Sequence, residues 1–380
     1  MDLGLSEVQQ MLKSSAQEFL SQECPLTLVR AMEEDPMGSN DQLWRQIAGL
    51  GWTGVAFPES YGGTGGDFLD LAVLLEEMGR ALCPSPFFST VVLGGLTVLE
   101  AGTDAQKQDI VTKICEGQLL MTLALTEQTA TYEPWGIETV ATRQGDNFVI
   151  DGTKLFVPDA HVADLLLVAA RTSDEADPSQ GITLFLVPSG TSGLTVTQLS
   201  TISADRQCEV ILNQVSVPAS SVLGEVDQGW PVLERALERA TAGKCIEMLG
   251  GASAVLDMTV EYVKGRTQFG RPIGSFQAVQ HHCADMATDV EGSRVVAYQA
   301  AWKVSEGDPA QREVSVAKAW VSAAYQRVCS LAHQTHGAIG FTKEHDLQLF
   351  TRRAKVQELN YGDVNFHKDV ALQYVEGQLT

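Results

Sequence analysis

Between about Leu119 and Leu223 the apolar residues change period, with helical spacing on either side. Nothing else in the chain limits its fold as strongly, because a helix repeats every 3.6 residues and a strand every two, so one segment cannot serve both. Before the change, Ser6–Ser21, Asn40–Gly49 and Phe68–Ala81 space apolar residues by three or four, and Ser6 and Asn40 suit N-caps. Within it, the runs Leu120–Leu125, Asn147–Ile150, Leu165–Ala169, Ile182–Val187, Leu194–Val196 and Glu209–Val215 alternate with Gly, Asp, Pro and Ser turns. These strands lack the alternating helices of a doubly wound nucleotide fold. From Gly229 the pattern predicts helices over Gly229–Arg266, Ser275–Val304, Ala310–Thr335 and Asp363–Glu376, which suits a four-helix antiparallel bundle. The expected class is α+β, multidomain and mostly α: an N-terminal helical domain over 1–118, a barrel-like β domain over 119–223 and a helical bundle over 224–380.

A length of 380 residues suits two or three domains at about 150 residues each, enough to bury a large cofactor. The formal charge of -22 argues against nucleic acid or an anionic membrane as the main partner, since both would be repelled. Ala163–Ala170, interrupted by Asp164, is among the longest apolar stretches and falls far short of the roughly 20 residues that span a bilayer. The start MDLGLSEVQQ lacks a basic segment followed by an apolar one, and the chain reads as cytoplasmic. Seven scattered cysteines form no C-x-x-C pair and read as reduced core thiols; no metal site is expected.

Several segments, in order, carry a family resemblance. Phe57–Gly66 matches P-E-x-Y-G-G-x-G-G, Thr126-Glu127 matches T-E, and Asp151-Gly152-Thr153-Lys154 resembles N-G-x-K. Arg266–Gln277 is close to R-x-x-F-G-x-x-I-x-x-F-Q, Gln334–Gly340 resembles Q-x-x-G-G-x-G with Ala338 for the second glycine, and Arg352–Lys355 matches R-x-A-K. Together they resemble the acyl-CoA dehydrogenases.

That resemblance implies FAD. Its diphosphate needs cationic and backbone donors, which Arg266 and the glycine-containing segment Gln334, Gly337 and Ala338 would supply, in this family across a dimer interface. Phe269 and Gln277 of the same motif are assigned to the cofactor with them. Thr126 corresponds to a threonine that bonds the flavin ring, and Phe156 replaces the tryptophan of W-I-T that stacks on it. Val157-Pro158 completes that motif without its threonine hydroxyl, since proline has no donor. Where the family has P-G-A-G-S-D, this chain has Gln128–Glu133, which puts Tyr132 beside the expected substrate path.

The family's base is the glutamate of Y-E-G-T, and the register from Arg352–Lys355 puts Tyr361 in its place, within Asn360-Tyr361-Gly362-Asp363. A phenol, with a reference pKa of about 10, is a poor base at neutral pH, although the backbone N–H of Tyr361 can still bind a thioester oxygen as the family uses it. An alternative base position, on the long helix, falls on Ala240. One and two turns further stand Lys244 and Glu247 on the same stripe. Three readings stay open: Glu247 as a displaced base, Asp363 as base, or no local base. Lys244 and Glu247 are equally readable as a structural pair, or Lys244 as the receptor of a polar acyl group.

The resemblance implies an FAD-dependent oxidoreductase that forms an α,β-unsaturated acyl-CoA and passes electrons to an electron-transferring flavoprotein, within a homo- or hetero-oligomer. The competing class is a base-deficient, flavin-binding subunit of a heteromeric dehydrogenase. A third is different flavin chemistry on the same scaffold.

Overall fold

The computed structural model describes residues 4–379; residues 1–3 and 380, the extremes of the two expected helical domains, lie outside it. Two compact units emerge, and neither is continuous in sequence. One takes the described residues up to Ala31, Phe68–Cys83 and those from Thr241; the other takes Met32–Asp67 and Pro84–Ala240.

The second unit contains the sheet. Its strands are β1 Met121–Ala124, β2 Val140–Gln144, β3 Asn147–Pro158, β4 Leu165–Arg171, β5 Ile182–Pro188, β6 Leu194–Leu199, β7 Gln207–Pro218 and β8 Val222–Leu223. They lie in the order β6-β7-β3-β2-β4-β5-β8, with β1 beside β4. The barrel-like expectation is corrected here: the sheet is open. Its ends are β6, half exposed, and β8, two residues long, and they do not pair with each other. Inside, alternate residues of β3, β4, β5 and β7 interlock, and the rings of Phe148 and Phe185 meet at 5.1 Å. The helix Asp41–Gly49 starts as expected on Asn40, whose Oδ1 accepts from the Leu43 amide. The glycine-rich turn folds on itself: a Cβ at Gly63 would stand 2.1 Å from the Phe57 carbonyl oxygen, so no other residue fits there.

The first unit is helical. Glu7–Glu23 begins on Ser6 with a full capping box to Gln9. It is joined by Phe68–Arg80, the later part of Gly229–Gly265, Gln277–Ser305, Gln311–His336, Leu347–Leu359 and Val364–Leu379. The helix Leu347–Leu359 is one more than the expected four, and the R-R-A-K motif lies on it. Thr351, Arg352, Arg353 and Lys355 break its apolar stripe, leaving Leu349, Phe350 and Ala354 to mark its buried side. Phe68–Arg80 and Gly229–Gly265 touch backbone to backbone at Gly79 and Gly250. Beside that contact the buried Glu76 carboxylate takes Lys13, Arg294 and the Tyr298 hydroxyl, tying other helices to Phe68–Arg80. Burial would raise its pKa, but these partners hold it below the ordinary carboxylate value.

Candidate active site

In the sheet unit the Thr126-Glu127 pair and Lys154, from the Asp151–Lys154 stretch of β3, form one buried assembly. Lys154 Nζ, fully buried, lies 2.6 Å from Glu127 Oε1 and donates to the Leu125 carbonyl at 3.1 Å. The same carboxylate accepts from the Glu138 and Thr139 amides at 3.0 Å. Burial pushes the Lys154 ammonium down to about 8, against the opposing pull of Glu127. Glu127 thus closes one end of the segment carrying Tyr132. Arg171 holds the stretch just after Tyr132, donating to the carbonyls of Pro134 and Ile137 at 2.8 Å.

Lys154 also anchors the strand just before a bulge. The β3–β7 register shifts between Lys154 and Val157, and Phe156 sits in the shift with φ 57°, the residue 47% exposed. An aromatic held in the left-handed region and left half in solvent is an unusual expense of conformational energy. Val157 turns its side chain into the sheet core and is buried. Thr126 exchanges bonds with Leu155: its hydroxyl donates to the Leu155 carbonyl at 2.5 Å, while its own carbonyl accepts the Leu155 amide at 2.8 Å. The hydroxyl hydrogen is therefore engaged, and its oxygen remains as an acceptor.

In the helical unit Lys244 and Glu247 are brought together. They form a largely buried ion pair, and Gln357 Nε2 lies 3.4 Å from the same carboxylate oxygen. Asp363 does different work: its Oδ1 accepts the Phe366 amide at 2.8 Å, capping the helix Val364–Leu379. Tyr361 adopts φ 62° and Gly362 φ 104° in the turn before it. Two residues that the sequence reading did not single out hold this turn. Lys318 Nζ, fully buried, donates to the carbonyls of Glu358 and Gly362 at 2.8 Å each, and His367 Nε2 donates to the Tyr361 carbonyl at 2.9 Å. The signal for Lys318 was present in the sequence: a lone cation on the stripe Val314, Val321 and Tyr325 of an otherwise apolar helix face.

Burial, reinforced by the Lys318 charge, pushes the His367 imidazole down to about 4 from its ordinary 6.5. Between those values the unfolded chain takes up a proton that the folded state refuses, so stability is lost as pH falls from about 6.5 to about 4. Subtracting the urea-unfolding curve of His367→Gln from that of the native chain across this window should give a positive slope with pH. A flat difference would mean that the imidazole is not held neutral.

The phosphate-side candidates cluster at the surface of the same unit. Arg266 opens a hairpin, Thr267–Gln268 against Arg271–Pro272, turned by Phe269 and Gly270 at φ 54° and 78°. Arg266 and Gln277 are exposed, and Phe269 is 92% exposed. Gln334, Gly337 and Ala338 lie exposed at the end of Gln311–His336, with open space where a Gly337 Cβ would stand. Tyr262, one turn before Arg266, stacks on His336 at 4.3 Å and so joins the two segments.

Three family models match the chain in sequence: the acyl-CoA dehydrogenase N-terminal domain over residues 6–118, the middle domain over 122–215 and the C-terminal domain over 227–373. The probable acyl-CoA dehydrogenase YngJ of Bacillus subtilis is 34% identical over 370 residues, covering 95% of this chain and 96% of that protein. Butyryl-CoA dehydrogenase from Megasphaera elsdenii superimposes with a TM-score of 0.92 at 30% identity, covering 99% of this chain and 100% of that one. The ChsE4-ChsE5 complex from Mycobacterium tuberculosis gives 0.89 at 30% identity, covering 100% and 99%.

Proposed function

Because this chain belongs to the acyl-CoA dehydrogenase family, oxidoreductases acting on CH–CH bonds, we propose that it binds FAD, serves formation of an α,β-unsaturated acyl-CoA and passes electrons to an electron-transferring flavoprotein. Phe156 carries the reading. A half-exposed ring on a left-handed bulge, backed by the buried Lys154–Glu127 pair, is a built stacking platform, and a planar heterocycle is what such a platform suits. The residues present fit the cofactor. The Thr126 oxygen can accept from a ring N–H, and the Val157 backbone lies beside Phe156. Arg266 and Gln334 offer donors to the phosphate of a neighbouring chain's cofactor within the oligomer we propose, while the space at Gly337 admits close approach to its backbone and that of Ala338. Phe269 and Gln277 complete that surface. When bound, FAD supplies the acceptor for the β-hydride. The chain's own part is to hold the thioester carbonyl at the Tyr361 backbone N–H and to shape the approach with Tyr132.

A second reading is favoured by where the two candidate bases stand. Glu247 is engaged by Lys244 and Gln357, and Asp363 caps a helix, so neither carboxylate is poised to take an α-proton. On this reading the chain is the base-deficient subunit of a heteromeric dehydrogenase, and a second family chain with the Y-E-G-T glutamate supplies the base. The ChsE4-ChsE5 complex is, by its name, an assembly of two different chains and offers a precedent for such pairing.

Anaerobic mixing of the purified flavin-loaded chain with a panel of acyl-CoA esters tests both. Bleaching of the oxidised flavin by the chain alone would establish self-sufficient turnover and sink the second reading. No bleaching until a second family chain is added is the outcome expected from the engaged carboxylates. If no ester bleaches the flavin under either condition, acyl-CoA oxidation itself is wrong.

A further inference from the structure

The turn between the last two helices is held from within by side chains that the proposed chemistry does not use. Glu358 lies in the last turn of Leu347–Leu359, where carbonyls lack intrahelical partners and carry the negative end of the helix dipole. The Lys318 ammonium, arriving from Gln311–His336, bonds that carbonyl and reaches across the turn to the Gly362 carbonyl. His367, from Val364–Leu379, takes the Tyr361 carbonyl between them. Because Nε2 must donate to that oxygen, the other ring nitrogen is an acceptor, and Ser315 Oγ lies 3.2 Å from Nδ1 to fill it.

Two carbonyls of the turn and one from the end of the preceding helix are therefore bound by two side chains from different helices. With the Tyr361 carbonyl held by His367 and Tyr361 fixed at φ 62°, the direction of the Tyr361 N–H on the other side of its Cα is fixed as well. A tyrosine in the left-handed region costs about 1 kcal/mol or more and persists only where the surroundings over-determine it. Gly362 leaves no slack, since a Cβ there would stand 2.4 Å from Phe366 Cδ1 and 2.9 Å from His367 Nε2. For helix capping alone, the Asp363 side chain already serves the start of Val364–Leu379. A fully buried ammonium bonded to two carbonyls is a large desolvation cost for a cap, and it fixes the backbone of the intervening residues more tightly than a cap needs.

We propose that Lys318 and His367, with Ser315 behind His367, are positioning residues that set the Tyr361–Gly362 turn to receive the carbonyl oxygen of an acyl-CoA thioester. The inference rests on the acyl-CoA reading given above. Neither side chain touches substrate. Each acts through the backbone it holds.

The test compares a fatty acyl-CoA thioester with its thioether analogue, which has the same chain but no carbonyl. Affinities for both are measured by calorimetry on the assembled flavoprotein, in the native form and in Lys318→Met, His367→Leu and His367→Gln. The native protein should prefer the thioester. Lys318→Met and His367→Leu should lose about tenfold of that preference, the scale of one hydrogen bond, with thioether affinity unchanged. His367→Gln keeps an N–H for the Tyr361 carbonyl and should restore the preference. General loosening of the fold would weaken both ligands together and leave their ratio alone. Native preference retained in His367→Leu, or no rescue by His367→Gln, overturns the positioning role, and this pair decides the matter even if Lys318→Met does not fold. Absence of any preference in the native protein would instead overturn the acyl-CoA reading, and this inference with it.

Discussion

Glu127→Gln should destabilise the sheet unit by about 3–5 kcal/mol, as should Lys154→Met, because each leaves one member of a buried ion pair without its counter-charge. The pair is dry: Lys154 is 0% and Glu127 5% exposed. Without the carboxylate, the ammonium retains only the Leu125 carbonyl among its observed partners, and its pKa, already about 8, must fall further. Without the ammonium, Glu127 keeps its two amide donors but loses its charge partner. The double variant Glu127→Gln/Lys154→Met should therefore be more stable than the sum of the two losses, with a coupling of about 1–3 kcal/mol in urea unfolding. Additive losses would mean that the two groups do not interact as the geometry requires. Flavin retention should fall along with stability, since Lys154 anchors the strand two residues before Phe156.

Gly250→Ala and Gly79→Ala should each be at or above the usual overpacking cost of about 1–3 kcal/mol. A Cβ at Gly250 would stand 1.9 Å from the Glu76 carbonyl oxygen, and one at Gly79 would stand 2.1 Å from the Glu247 carbonyl oxygen. Side chains absorb such clashes by changing rotamer, but both obstacles here are backbone. The helices Phe68–Arg80 and Gly229–Gly265 must separate, which opens the surroundings of both the Glu76 cluster and the Lys244–Glu247 pair. Thermal unfolding and near-ultraviolet circular dichroism would register the loss. A native melting temperature in Gly250→Ala would show that the close helix crossing is dispensable.

Legibility in the sequence follows the range of the interaction that decides each feature. Ser6 and Asn40 were readable as caps because a cap bonds an amide three residues away. The strand β2 was not, since of Val140–Gln144 only Ala141 is buried and no alternation marks it. Whether the sheet closes is decided by β6 and β8, which meet other strands and not each other, and nothing local in Leu194–Leu199 announces that. The juxtaposition of Lys244 and Glu247 was visible from helical spacing. Gln357 beside them was not, because it arrives from a helix about a hundred residues on that the apolar pattern did not reveal. The same limit hid the Tyr361 turn: His367 lies six residues away, but its role depends on Ser315 and Lys318, placed by a third helix.

The interrupted make-up of the helical unit also sets the order in which a ribosome can finish it. Its first two segments end at Cys83, and the third begins at Thr241. At roughly 5–20 residues per second, the intervening stretch of about 160 residues takes on the order of ten seconds to synthesise. Throughout that time Leu71, Leu74, Leu75 and Met78 on the nascent helix Phe68–Arg80 lack every partner from Thr241 onward, while Pro84–Ala240 of the sheet unit is emerging. The growing chain is then open to capture by chaperones, or by another nascent chain, at its apolar N-terminal helices.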